Sequence, residues 1–119
     1  MKRNHTEDRI HRYIANYLKL AAPEGFFWTS IENRNEGAVE GKRRSKRGCK
    51  AGVPDILTIY RGNVLFLEVK APKGRLHDSQ KERIPEINEA GAGVEIVRSV
   101  DDAFRALIKA GVPVRATPA

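Results

Sequence analysis

Gly52-Val53-Pro54-Asp55-Ile56-Leu57-Thr58-Ile59-Tyr60-Arg61-Gly62-Asn63-Val64-Leu65-Phe66-Leu67-Glu68-Val69-Lys70 is the stretch whose reading decides the fold. Residues 55–60 and 64–70 are two strand-like runs, and Arg61-Gly62-Asn63 between them is a hairpin signal. The second run is apolar on both faces, with Val64 and Phe66 on one and Leu65, Leu67 and Val69 on the other. Such a strand belongs in the middle of a sheet, with helices on either side. Side chains two apart on a strand share a face, so Glu68 and Lys70 point the same way, about 7 Å apart. The hairpin folds Asp55 back beside Glu68. Two carboxylates and an ammonium therefore meet at one corner of the sheet.

Working outward, residues 6–20 read as a helix. Thr6 is a candidate N-cap, Glu7 and Asp8 favour the first turn, and Ile10, Tyr13, Ile14, Tyr17 and Leu18 recur at helical spacing. Phe26 to Ile31 reads as a strand. The stretch 32–52 has no periodicity and reads as a loop of about twenty residues, a length that in so small a chain marks function or disorder. Downstream, a helix is expected over 78–90, closed by Gly91 and kinked or broken by Pro85. Val94 to Val97 is a short strand, and Ser99-Val100-Asp101-Asp102 resembles a capping box that opens a last helix to about Lys109. Residues 112–119 read as a loose tail. A helix joins the third and fourth strands, so these should run parallel through a right-handed crossover. The expected fold class is α/β, a mixed central β-sheet flanked by helices, in a single domain over 1–119.

The corner suits phosphate chemistry. Magnesium takes oxygen ligands, often one or two carboxylates completed by water and substrate phosphate oxygens. Such an ion polarises a phosphodiester and activates water. A lysine beside it can orient that water or neutralise charge developing on phosphorus. A plain ion pair at the strand end, with Asp55 capping it, would read the same. Glu7 lies three and seven residues ahead of Ile10 and Ile14, so it shares the buried face of the first helix and could reach the sheet. As an acid in a helix's first turn it also has an ordinary role. Gln80 shares the inward face of its helix with Ile84 and Ile87. It could contact Lys70 or a phosphate, or simply be satisfied by backbone.

Together these residues resemble a PD-(D/E)xK nuclease, and more narrowly a VRR-NUC domain. The matching text is Gly52-Val53-Pro54-Asp55, Leu67-Glu68-Val69-Lys70, Glu7, Gln80 and the closing strand Val94-Glu95-Ile96-Val97-Arg98-Ser99. The resemblance implies a restriction-endonuclease-like core in which Glu7, Asp55 and Glu68 hold a metal with help from the Val69 carbonyl. It assigns Lys70 to the nucleophile and Gln80 to support of the site. It implies hydrolysis of DNA phosphodiesters with Mg2+ or Mn2+. Stand-alone members are similar to Holliday-junction resolvases, pair as homodimers and are common in phages. Two positions depart from the pattern: His11 stands where many members have glutamine, and Pro85 interrupts a helix usually free of proline.

Charge agrees with a polyanionic partner. The net charge is +7, from 22 basic and 15 acidic residues, and Lys42, Arg43, Arg44, Lys46, Arg47 and Lys50 place six cations in nine residues just before Asp55. Such a segment grips phosphates without reading bases, and Arg34, Lys2 and Arg3 extend it. A solvated run or a localisation signal would look alike. Phe26, Phe27 and Trp28 could stack on bases, but core or a dimer surface is the more ordinary use. Cys49 is the only cysteine, which excludes an internal disulfide and a Cys-x-x-Cys zinc site. His5, His11 and His77 have no metal-ligand spacing. No stretch approaches the ~20 apolar residues of a membrane span. The basic start has no apolar signal region after it, so the chain reads as intracellular and cytoplasmic; a phage origin is implied only by the resemblance.

The leading reading is a metal-dependent endonuclease acting on branched DNA as a homodimer. The alternative is a nucleic-acid-binding module on the same fold without catalysis. An interaction protein whose basic segment binds an acidic partner is a third, and it needs no metal.

Overall fold

The computed structural model describes residues 5–32 and 38–119. The elements are α1 (His5–Ala21), β1 (Phe26–Ser30), α2 (Ala38–Lys46), β2 (Ile56–Tyr60), β3 (Asn63–Val69), α3 (Asp78–Glu89), β4 (Gly93–Val97) and α4 (Val100–Lys109). The strands form one mixed sheet in the order β1-β2-β3-β4. The first two pairings are antiparallel and β3–β4 is parallel, as the helical crossover requires.

The hairpin is tighter than the sequence suggests. Arg61 (φ 48°) and Gly62 (φ 81°) form a two-residue turn with both φ values positive, and Asn63 already pairs with Tyr60 in β3. This turn matches the twist of the flanking strands and locks the register Ile56↔Leu67. A slip of one residue would turn every β3 side chain to the other face.

Alternation then sorts β3. Leu65, Leu67 and Val69 are buried with Ile56, Val97, Ile14 and Leu18 of α1, and Ala103 and Leu107 of α4, in one apolar cluster. The opposite face carries Val64, Phe66 and Glu68, and α3 lies on that side, against β4. Trp28 and Phe26 pack against the core cluster, whereas Phe27 points away and is exposed.

Four expectations need correction. The helix thought to start after Thr6 begins at His5, so Thr6 lies within its first turn. Part of the expected loop 32–52 is the nine-residue helix α2. It shows no apolar stripe, and among its described side chains only Arg44 is even partly buried. Its straight-chain residues still favour helix, and Arg43, Arg44 and Lys46 in its last turn suit the dipole. Pro85 does not break α3, which runs through it. Pro85 and Lys81 are both exposed, so the Lys81 carbonyl that loses its i+4 donor is left on the solvent side. The tail over 112–119 is docked rather than loose. Val112 is buried, Arg115 N–H donates to the Ala21 carbonyl at 2.8 Å, and Tyr17 Oη donates to the Ala116 carbonyl at 2.7 Å.

The helix ends follow their residues. Gly91 and Gly111 take positive φ just past α3 and α4, and the amides of Ala92 and Val112 close back on Ile87 and Leu107. Ser99 caps α4 by accepting from Asp102 N–H at 3.0 Å, while Asp102 accepts from Arg98 N–H at 2.9 Å, one residue earlier than a standard capping box.

Candidate active site

Asp55 follows the buried Pro54 and precedes β2. Its carbonyl accepts from Ile31 N–H at 2.7 Å, and its Oδ2 accepts from Val69 N–H at 2.8 Å. The side chain thus takes the place of a ladder partner at the end of β3. That bond aims the carboxylate at the residues on either side of Val69, which are Glu68 and Lys70.

Glu68 and Lys70 are each only 1% exposed, on residue types that are rarely buried without partners. Glu68 Oε2 accepts from Gln80 Nε2 at 3.0 Å, and Lys70 Nζ stands 3.9 Å from the same oxygen. Among the described residues no donor reaches the buried Oε1. Asp55 lies close enough to hydrogen-bond with the Glu68 carboxyl. Burial, then the charge and hydrogen bond of Asp55, push the Glu68 carboxyl up to about 9; the Lys70 ammonium opposes this and Glu7 adds to it. Two facing acceptors need a proton or a cation between them.

Gln80 is held at both ends. Its Oε1 accepts from His77 N–H at 2.8 Å, which closes the first turn of α3, while its Nε2 serves Glu68. The backbone role and the site role considered for this residue are therefore one arrangement.

Glu7 sits in the first turn of α1, near enough for its charge to act on Glu68. Among the described residues, however, no three His, Cys, Asp or Glu side chains gather closely enough to hold an ion by themselves. What the structure brings together is Asp55, Glu68, Lys70 and Gln80, with the Val69 peptide between them. Lys42, Arg43, Arg44 and Lys46 stand on α2, and Arg47 and Lys50 on the turn after it, a separate element from the carboxylate pair. Arg34 lies outside the described residues, as do Lys2 and Arg3. His11 Nε2 lies 2.8 Å from Ser30 Oγ, at the end of β1 beside Asp55.

Three residues have supporting roles that sequence reading did not assign, although Gly52 and Arg98 lay in its matching text. Gly52 has φ +82°, and a Cβ there would collide with the Ser79 carbonyl and crowd the Gln80 amide. Its place before Val-Pro-Asp was the available signal. Arg83 Nε donates to the Ala51 carbonyl at 2.9 Å. Arg98 Nη1 donates to the carbonyls of Ala71 (2.6 Å) and Gly74 (2.9 Å), closing the turn that follows Lys70. Both arginines act on backbone carbonyls, and nothing in a sequence marks such contacts.

The VRR-NUC domain model matches residues 7–101 of the chain. A solved structure described as a VRR_NUC domain protein is similar over 89% of this chain and 88% of its own, with 23% identity and a TM-score of 0.65. A second, described as a VRR_NUC domain, covers 89% of this chain and 97% of its own, with 22% identity and a TM-score of 0.56. At these identities the two structures speak to the fold, which is that of a restriction-endonuclease-like α/β sheet. No curated protein sequence matches. Among the described residues no helix is long and apolar enough to cross a membrane.

Proposed function

The chain belongs to the VRR-NUC domain family of PD-(D/E)xK-like nucleases, and from that premise we propose that it is a divalent-metal-dependent DNA endonuclease that cuts branched DNA as a homodimer. The observation that carries the metal and the chemistry is the buried Glu68 carboxylate. One of its oxygens lacks a donor, and a second carboxylate faces it. A module that only bound nucleic acid would gain nothing from this arrangement, since two carboxylates repel phosphate and the buried one costs stability.

The donor set fits Mg2+ or Mn2+. Glu7, Asp55 and Glu68 would supply the carboxylate oxygens, helped by the Val69 carbonyl. Hard cations of this kind often use one or two carboxylates and leave the remaining positions to water and phosphate oxygens. When bound, such an ion supplies positive charge to the phosphoryl oxygens and raises the acidity of a nearby water.

The chain's own groups do the rest. Val69 N–H fixes the Asp55 carboxylate, and Gln80 fixes that of Glu68. Lys70 holds its ammonium by Glu68 Oε2, where it can orient an attacking water and offset charge building on phosphorus. The burial of Glu68 and Lys70 excludes bulk water from their contact, which strengthens it. Lys42, Arg43, Arg44, Lys46, Arg47 and Lys50 hold the phosphate backbone without sequence preference, as Arg34 is proposed to do. A dimer would set two such corners on two strands, as paired cuts at a four-way junction require.

The test is cleavage of linear, flap and four-way DNA with Mg2+, Mn2+ or chelator, alongside Asp55→Ala and Lys70→Ala. Both variants are expected to lose cleavage by ~100-fold or more, while Lys70→Ala keeps DNA binding. Parent activity that survives chelation, or variants as active as the parent, would sink the proposal. Sedimentation of the protein alone and with a four-way junction tests the dimer.

A further inference from the structure

The cationic segment and the carboxylate pair are joined by a short connection that α3 holds in place. Lys50 lies five residues before Asp55. Between them, Arg83 Nε donates to the Ala51 carbonyl, and Gly52 packs its bare backbone on Ser79 and Gln80. Arg83 is itself braced. Its side chain is 14% exposed, and Nη1 reaches both carboxylate oxygens of Glu86 at 3.1 Å.

Gln80 and Arg83 are three residues apart, on one face of α3. One grips Glu68 and the other grips the connection to the basic segment. A single helix therefore sets the spacing between the phosphate-gripping cations and the cutting site. An i,i+3 ion pair on its own contributes little. Here the pair holds a mostly buried guanidinium against a loop carbonyl.

We infer that Arg83 is a positioning residue: through the Ala51 carbonyl it keeps segment 42–50 in register with Asp55 and Glu68, so that a backbone held by the first is presented to the second. The inference rests on the nuclease reading above. It concerns where and how fast DNA is cut, not how tightly it is held. Misplacing a reacting group by about an ångström can cost a factor of ~100 in rate.

Arg83→Ala and Arg83→Lys test it. Affinity for an end-labelled four-way DNA junction and its salt dependence are measured in chelator. Single-turnover cutting of the same junction is measured at saturating protein with Mg2+, and melting temperature is followed in parallel. Arg83→Ala should bind as the parent does, cut ~10-fold or more slowly, and scatter its cuts around the parent positions. Arg83→Lys, whose ammonium can still reach the Ala51 carbonyl, should recover part of the rate. If Arg83→Ala melts below the assay temperature, Glu86→Gln loosens the brace with Arg83 in place, and it should show the same split to a smaller degree. An unchanged rate and cutting pattern overturns the inference, as does a rate loss matched by an equal loss of affinity. A parent that leaves DNA uncut sinks the nuclease reading itself, which is a different result from an active parent with indifferent variants.

Discussion

Replacing Glu68 by glutamine should make the metal-free protein more stable at alkaline pH. The carboxyl ordinarily titrates near 4.5 and in the fold is pushed up to about 9, chiefly by burial and by Asp55. A raised acid holds its proton more tightly folded than unfolded. Its contribution is therefore most favourable below about pH 4.5, declines as pH rises toward 9, and is flat beyond. Within that window the slope approaches one proton, or ~1.4 kcal/mol per pH unit. From pH 6 to pH 8 the parent should thus lose ~3 kcal/mol through this group, roughly 10 °C in melting temperature for a chain of this size. Glu68→Gln keeps a donor for Asp55 and has no such slope. Thermal melts of both proteins in chelator, from pH 5.5 to 8.5, read the difference for Glu68 and the groups coupled to it, because titrating groups remote from the corner cancel between them. The variant should melt above the parent at pH 8, with the gap narrowing toward pH 6. Adding Mg2+ should raise the parent more at pH 8 than at pH 6, since proton and ion compete for one place, and should do little for the variant. Parallel pH curves, or a variant less stable than the parent at pH 8, would refute the reasoning.

Gln80→Ala should cost about 1–2 kcal/mol, because it strips Glu68 Oε2 of its close donor and leaves the His77 amide uncapped; chemical denaturation measures this, and cleavage should fall with it. Gly52→Ala puts a methyl into the Ser79 carbonyl at a positive φ, so a loss of roughly 2 kcal/mol or more is expected, with amide exchange rising at the start of α3. Neutralising Lys42, Lys46 and Lys50 to glutamine should leave the melting temperature near the parent's, since all three are exposed. It should flatten the salt dependence of DNA binding by about 0.9 for each phosphate no longer neutralised.

The legible parts of the chain were those in which one residue type answers to one constraint. Apolar residues on both faces of 64–69 indicated a central strand, and the short turn read at Arg61-Gly62-Asn63 brought Asp55 back to Glu68. Helical spacing in α1 and the Gly91 and Gly111 stops were equally direct. What stayed hidden were elements whose stability leaves no stripe. None of the described side chains of α2 is buried, its residues carry no period, and only propensity and terminal cations speak for it. The tail does carry a period, with Val112, Val114 and Ala116 alternating with exposed residues, but it is short and ends in Thr-Pro-Ala. At the site, residue types announced the carboxylates and the lysine. The roles of Arg83 and Arg98 did not appear, since a guanidinium on a backbone carbonyl can lie anywhere in the chain.

The fold can hold an awkward corner because its two tasks are assigned to opposite sides of one strand. On β3, Leu65, Leu67 and Val69 join α1 and α4 in the apolar cluster, and Glu68 leaves from the other face toward α3. Burying an unsatisfied carboxylate inside the main cluster would disrupt packing throughout. At the end of β3 the cost stays local, and it is borne by the residues to which the proposed chemistry is assigned: Asp55 through Val69 N–H, Gln80 through the first turn of α3. The same division explains why α3 buries no residue fully. It serves as a bracket rather than as core, carrying Gln80 to the carboxylate and Arg83 to the loop that delivers the cations. Substitutions in the Leu67 face should therefore unfold the protein, whereas those on α3 should leave a folded protein that has lost alignment. That contrast separates the core from the bracket in any mutational scan that scores stability and cutting independently.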